Sequence, residues 1–189
     1  REYAINSKLD TIPNAKFGYS NVSAQLLGVL IEKLSQKTSE EYFDEVLFKH
    51  LGMDSTSLGK DFSKTSYLTY GGAKTTTQDA SRIGLLMINK GKIDNKQIVS
   101  KTWIDKTIKR QYKFSDPYGY GYLWWSATAG NHSFNFAWGH GGQLVIIIQE
   151  MNMVIVVTAD PLDREYGDTA WVKTRKIIDL VAKYIASLN

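Results

Sequence analysis

The run Leu144-Val145-Ile146-Ile147-Ile148 contains no polar residue, so a strand built from it cannot leave either face in water. A membrane helix needs about 20 such residues, and this run is far shorter. A strand that is apolar on both sides needs a cover on each, and the rest of the chain has to provide both. From about Tyr118 onward, aromatic and β-branched runs alternate with Gly, Asn and Asp. That texture predicts strands near Tyr120–Ser126, at Phe136–Gly139 running on into Leu144–Gln149, and at Met153–Ala159. Glu150-Met151-Asn152 has the length of an antiparallel hairpin connection. The last stretch, about Thr169 to Leu188, carries Trp171, Val172, Ile178, Val181, Ile185 and Leu188 as one stripe, which suits a helix laid across the sheet.

Upstream the apolar spacing is helical. A helix is predicted from about Val22 to Leu34, with Val22, Leu26, Leu27, Val29, Leu30 and Leu34 apolar and Ser20 or Asn21 placed to cap it. Thr38-Ser39-Glu40-Glu41 fits a capping box and opens a second helix through Tyr42, Phe43, Val46 and Leu47 to a stop at Gly52. Both are expected to be half buried. A third, about Gln78 to Lys90, puts Ala80, Ile83, Leu86 and Met87 on one face and stops at Gly91, and a shorter one follows Ser100 through Trp103, Ile104 and Ile108. The plan is α+β: about 1–110 mainly helical, about 111–189 strands plus a terminal helix. There is no internal repeat or linker, and with three Pro in 189 residues the chain reads as one compositional unit.

Composition closes several classes. Without Cys there is no disulfide framework, thiolate nucleophile or Cys-ligated metal site. The net charge of +4 comes from 23 basic and 19 acidic residues spread along the chain, with no basic run of the kind that tracks a phosphate backbone. Nucleic acid is not indicated as a partner, and no transmembrane segment is expected. His50 and His132 show no metal-ligand spacing and read as solvated, one in a helix end and one in a polar loop. The chain opens on Arg1-Glu2-Tyr3, without an initiating Met or an apolar leader, so processing or cloning is expected to have removed what came before.

Two short segments can carry chemistry. Tyr19-Ser20-Asn21 stands at a loop-to-helix junction after Pro13-Asn14 and Gly18. A phenol there acts as a base only if nearby positive charge lowers its pKa from about 10, and Asn21 can hold a carbonyl. A Tyr-x-Asn triplet occurs by chance roughly half a time in such a chain, and its plain alternative is a helix cap with an aromatic staple. His140-Gly141-Gly142-Gln143 is sharper, since His-Gly-Gly is expected only about 0.02 times. Glycines interrupting an apolar strand region let backbone N–H groups, such as that of Gln143, approach a developing oxyanion, with His140 beside them as proton donor or cation. The plain alternative is a bulge with a surface His. Gly71-Gly72, Gly119 and Gly121 read as turns. The aromatics from Tyr118 to Trp125 read as cross-strand packing, with a carbohydrate-binding surface as the alternative.

In order along the chain, Phe17-Gly18-Tyr19-Ser20-Asn21 with Leu26 to Glu32, Leu51-Gly52-Met53-Asp54-Ser55-Thr56, Gly71-Gly72 with Thr75 to Ala80, Tyr118-Gly119-Tyr120-Gly121-Tyr122 and Gly139-His140-Gly141-Gly142-Gln143 together resemble one family. It is the serine hydrolases related to class C β-lactamases and penicillin-binding proteins, which include D-alanyl carboxypeptidases, esterases and 6-aminohexanoate-dimer hydrolases. The resemblance implies an antiparallel sheet flanked by helices beside a helical region. It implies catalytic roles for Tyr19, Asn21 and His140, and oxyanion or substrate contacts from Gly141, Gly142 and Gln143. It also implies no cofactor, a small or peptide-like substrate, and a periplasmic, envelope-attached or secreted location. The family's nucleophile sits in an S-x-x-K helix start upstream of the Tyr-x-Asn loop. That segment is therefore expected before Arg1, making this chain the C-terminal portion of one catalytic domain and inactive alone. The one literal S-x-x-K, Ser57-Leu58-Gly59-Lys60, lies downstream of Tyr19 with a helix-weakening Gly inside it, and is rejected as the nucleophile. His140 stands where the family's Lys is usual. A histidine carries at most partial charge at neutral pH, which favours an esterase, amidase or peptidase over recognition of a β-lactam carboxylate. The competing reading is a non-catalytic binding or sensor protein on the same fold.

Overall fold

Each strand of the main sheet takes the next strand in sequence as its antiparallel neighbour. In the computed structural model, which describes residues 6, 8, 11, 12, 14–114, 116–160 and 170–188 and only the backbone of Ala170 and Trp171, the chain forms two compact units, Arg1–Thr76 and Thr77–Asn189. Pro13, Thr169 and the Trp171 side chain, all used in the sequence reading, lie outside the described residues.

In the first unit, helix α1 (Asn21–Ser35) replaces the predicted 22–34 almost residue for residue and ends on Gln36 in the left-handed conformation. Its buried face is unexpected. Gly28 is the buried residue of this helix, and the apolar residues Val22, Leu27, Leu30 and Leu34 are exposed, so the predicted half-buried stripe is corrected. The reason is packing on another side. Gln25 donates from Nε2 to the Tyr67 carbonyl (2.9 Å) and accepts from Thr69 N (3.1 Å), and Thr69 Oγ1 bonds the Ala24 carbonyl (2.9 Å). A segment drawn that close leaves no room at position 28: a Cβ there would lie 2.5 Å from both Thr69 Oγ1 and Cγ2.

Helix α2 (Ser39–Phe43) has the predicted capping box, with Thr38 accepting from Glu41 N and Glu41 accepting from Thr38 N. The Thr38 N–H first, and then the Thr38 hydroxyl donating to the same carboxylate at 2.8 Å, hold the Glu41 carboxyl below its ordinary pKa. The helix passes through a π-helical turn (Asp44–Phe48) into α3 (Lys49–Leu51) and stops at Gly52, whose φ of 64° is left-handed.

In the second unit, α4 (Thr77–Ile88) is followed by a two-stranded ribbon, β1 (Lys92–Ile93) with β2 (Lys96–Gln97), and by α5 (Lys101–Ile108), which Ser100 caps through Trp103 N. The main sheet runs β3 (Tyr112–Lys113), β4 (Gly119–Tyr120), β5 (Trp125–Ala129), β6 (His132–Gly139), β7 (Gln143–Ile148) and β8 (Met153–Val157) in that order. Helix α6 (Ala170–Ala186) closes the unit. Strand β7 is covered as its sequence demands. Leu144, Ile146 and Ile148 join Ala127, Phe134, Phe136 and the α6 residues Ile178 and Ile185 in one cluster, while Ile147 joins Met87, Ile88, Ile104 and Trp124 in another. Helices therefore flank the sheet on both faces. Val172, expected in the α6 stripe, is exposed.

Two predicted strands are each divided in two. Tyr120–Ser126 is β4 and β5 joined by a turn in which Leu123 has φ 62° and Gly121 N donates to the Trp124 carbonyl. The stretch from Phe136 to Gln149 is not one run but the antiparallel pair β6 and β7, with Trp138 opposite Leu144. The following connection is a short 3₁₀ turn (Gln149–Met151) closed by Asn152 in the left-handed region, the predicted hairpin.

Candidate active site

The β6–β7 turn consists of His140, Gly141 and Gly142 alone, because Gly139 and Gln143 on either side are already a paired register position. A reversal in so few residues needs left-handed backbone, and the two glycines supply it at φ 81° and 100°. The glycines thus serve a hairpin, not the interrupted strand that the sequence suggested. His140 is exposed at the tip, and Gly141 and Gly142 are buried behind it. Close approach also fixes the flanks. A Cβ on Gly139 would lie 2.9 Å from that of Gln143, and one on Gly142 would lie 2.5 Å from Ile177 Cδ1 of α6 and 3.3 Å from Ala159 Cβ.

The Gln143 side chain reaches across the space this leaves. Its Nε2 donates to the Ala159 carbonyl at 2.6 Å, its Oε1 accepts from Ala159 N at 2.9 Å, and Nε2 has a longer contact to the His140 carbonyl at 3.4 Å. Sequence reasoning placed only the backbone N–H of Gln143 in the site. Its side-chain role was hidden because the partner is backbone, which no residue pattern announces.

Tyr19 and Asn21 belong to the first unit. Ser20 occupies the N-cap position of α1 in extended conformation (φ −147°, ψ 121°) without a side-chain capping bond, so the simple capping alternative lacks the bond that would define it. Asn21 begins the helix and is exposed, and Tyr19 is 57% exposed. His140 to Gln143 lie in the second unit.

The remaining candidates have structural explanations. Ser57 and Lys60 sit in extended backbone: Ser57 pairs with Lys74 through two 2.9 Å bonds, and Lys60 bridges Tyr67 with its ammonium 4.8 Å from the ring centroid. This is no helical turn aligning Ser with Lys. Trp125 contacts Phe114, Tyr120, Phe136 and Trp138 at centroid distances of 5.0–6.2 Å, and Tyr120 and Trp124 are buried, which is the packing alternative for the aromatic stretch. Burial, followed by the charge of Asp179 and against that of Arg175, pushes the Tyr118 phenol up. His50 is exposed, but His132 is neither in a loop nor solvated. It opens β6, and its ring nitrogens bond Glu150 Oε1 (2.6 Å) and the Leu188 carbonyl (2.9 Å). Among the described residues no cluster of His, Asp and Glu is arranged to hold a metal, and no helix is long and apolar enough to cross a membrane.

An antiparallel sheet with helices on both faces is the architecture of the β-lactamase/transpeptidase-like fold. The sequence profile of the Beta-lactamase family matches residues 1–176, and the chain belongs to that family. Solved structures agree on the fold. A Bacillus anthracis protein described as a 6-aminohexanoate-dimer hydrolase shares 20% identity at a TM-score of 0.75, covering 98% of this chain and 48% of its own. A penicillin binding protein from Bacillus halodurans shares 19% at 0.72, covering 95% and 62%. The D-amino acid amidase from Ochrobactrum anthropi SV3 shares 11% at 0.69, covering 97% and 61%. This chain thus spans between about half and just under two thirds of these relatives. No curated protein matches it in sequence.

Proposed function

We propose that the chain supplies part of the active site of a serine hydrolase that cleaves an amide or ester through an acyl-serine intermediate, with the nucleophile upstream of Arg1. The observation that carries this reading is the β6–β7 turn, which exposes an imidazole beside two buried glycines. The serine attacks the carbonyl carbon, and its proton passes to a base formed by its Lys and Tyr19. Tyr19 then returns a proton to the leaving nitrogen or oxygen as the carbonyl re-forms, and water repeats the cycle on the acyl-serine. Asn21 holds the substrate carbonyl or the Lys. The Gln143 backbone N–H, with that of the serine, stabilises the oxyanion, at about 3 kcal/mol per donor. His140 recognises the substrate or supplies a proton. The steps use no metal or organic cofactor. The names of two relatives, an amidase and an aminohexanoate-dimer hydrolase, support an amide or peptide-like substrate.

The test is labelling by a fluorophosphonate and turnover of a short p-nitrophenyl ester. Protein that includes the upstream segment is expected to label and turn over, and Tyr19→Phe to slow it by about a hundredfold or more. The 189-residue chain alone is expected to do neither. An undiminished rate in Tyr19→Phe would remove that residue from the mechanism, and turnover by the chain alone would place the nucleophile within it.

A further inference from the structure

We infer that the Gln143 side chain is a positioning residue that holds the β6–β7 turn in shape by standing in for a missing rung of the β7–β8 ladder. The backbone ladder between β7 and β8 ends at Leu144 opposite Val157. Continuing its register by two residues would pair Gly142 with Ala159. Gly142 cannot fill that place, since its φ of 100° has already turned the chain into the hairpin. Ala159 is nevertheless bonded through both its N–H and its carbonyl, each to the Gln143 carboxamide. A carboxamide has one acceptor oxygen and an NH₂ donor, the same complement as a peptide group, so it meets both needs of Ala159 at once.

The neighbouring glycines fit this arrangement. The missing side chain of Gly139 leaves room for Cβ and Cγ of Gln143, and that of Gly142 leaves room for Ala159 Cβ and Ile177 Cδ1. The turn is pinned from one side by the amide clamp and from another by α6. Without the clamp, Ala159 would have two polar groups to re-satisfy and the turn would lose its fixed distance from the segment after β8. The position of His140 and of the backbone donors in the turn would then loosen, and sub-ångström shifts in such donors cost rate.

This inference rests on the proposed function for its catalytic consequence but not for the clamp itself, and the two are read separately. In the 189-residue chain, amide hydrogen exchange at Gly141, Gly142 and Ala159 is expected to quicken at least tenfold in Gln143→Ala, with exchange in the centre of β7 unchanged. Exchange that does not quicken overturns the clamp. In protein that includes the proposed nucleophile segment, Gln143→Ala is expected to lower kcat for a p-nitrophenyl ester at least tenfold with little change in KM. Gln143→Glu supplies the control for folding. Its carboxylate has no proton to give the Ala159 carbonyl, whereas its protonated form, absent at pH 8 and gaining share as pH falls toward the ordinary glutamate value of about 4.3, has both an acceptor and a donor. The rate of Gln143→Glu relative to the unmutated protein is therefore expected to be lowest at pH 8 and to rise severalfold by pH 5, while Gln143→Ala stays equally low at both. A ratio independent of pH, or a kcat within twofold in Gln143→Ala, overturns the positioning role. An unmutated protein that neither labels nor turns over defeats the reading of function, and the exchange measurement alone then decides the clamp.

Discussion

An alanine in place of a mid-helix glycine ordinarily stabilises a protein by about 1 kcal/mol, yet Gly28→Ala is expected to do the opposite. The added methyl would lie 2.5 Å from two side-chain atoms of Thr69 and 3.0 Å from a third, and Thr69 cannot swing aside while Oγ1 and the backbone are both bonded to α1. Thermal denaturation is expected to show a lower midpoint for Gly28→Ala and a partial recovery on adding Thr69→Ala; a raised midpoint for the single variant would show that the segment can give way. His132 offers a second test on one side chain. Its two partners, a carboxylate and a carbonyl, are both acceptors, so both bonds need the ring with two N–H groups. The Leu188 carbonyl first, and then Glu150, raise its pKa above the ordinary 6.5. Because the folded value is the higher one, the stabilisation is complete below about pH 6.5 and disappears as pH rises through the raised value. Urea denaturation of the chain and of His132→Ala should therefore show a wider stability gap at pH 6 than at pH 9. An equal gap at both would mean that the doubly protonated ring is not the state holding Leu188.

Among the elements, those with chemical signals at their ends were the ones legible in the sequence. Thr38 with Glu41, Ser100 with Trp103 N, and Gly52 all mark helix limits through local bonds or backbone conformation that one residue type supplies. Such a cap carries a predictable energy: Thr38→Ala is expected to cost about 1 kcal/mol, seen as an earlier urea transition, and an unchanged transition would mean that α2 is held by its packing alone. The interior of the Thr38–Leu51 helix was less legible, since the π-helical turn at Asp44–Phe48 changes no apolar period sharply enough to be noticed. The largest misreading, the continuous strand across Gly139 to Leu144, has a simple cause. A three-residue turn returns the chain with Trp138 beside Leu144, so apolar residues continue on the same face before and after it, as they would in one strand with a break. The candidate site was legible in the same uneven way: His140, Gly141 and Gly142 stand out as a rare triplet and form the β6–β7 turn, whereas the Gln143 to Ala159 bonds depend on a tertiary register that no local pattern contains.

Over the whole molecule, exposed apolar surface on the helices and the sheet is what the motif order leads one to expect of a chain whose catalytic domain continues upstream. On α1, Leu27, Leu30 and Leu34 are 49%, 53% and 83% exposed on the side of the helix away from Gly28. In the second unit, β8 has no strand on its outer edge among the described residues, and Met153, Val154 and Ile155 border a shallow apolar groove with Leu180, Val181 and Tyr184 of α6. An uncharged edge of Met-Val-Ile-Val-Val is the kind of surface that recruits another strand. Surface of this kind is in keeping with the proposed upstream segment, because relatives of this fold are longer by a third to a half of their own length. The consequence is measurable without any knowledge of substrate. The 189-residue chain is expected to bind a hydrophobic dye such as anilinonaphthalene sulfonate while retaining its sheet by circular dichroism, and to self-associate as its concentration rises. Protein extended upstream is expected to bind much less dye and to stay monodisperse over the same range. Leu180→Lys and Tyr184→Lys, both at exposed positions of the groove, should reduce association of the chain, since a charge there opposes pairing with a second copy. A chain that stays monomeric and dye-free at high concentration would show that these faces need no cover, and the argument for an upstream segment would then rest on the motif order alone.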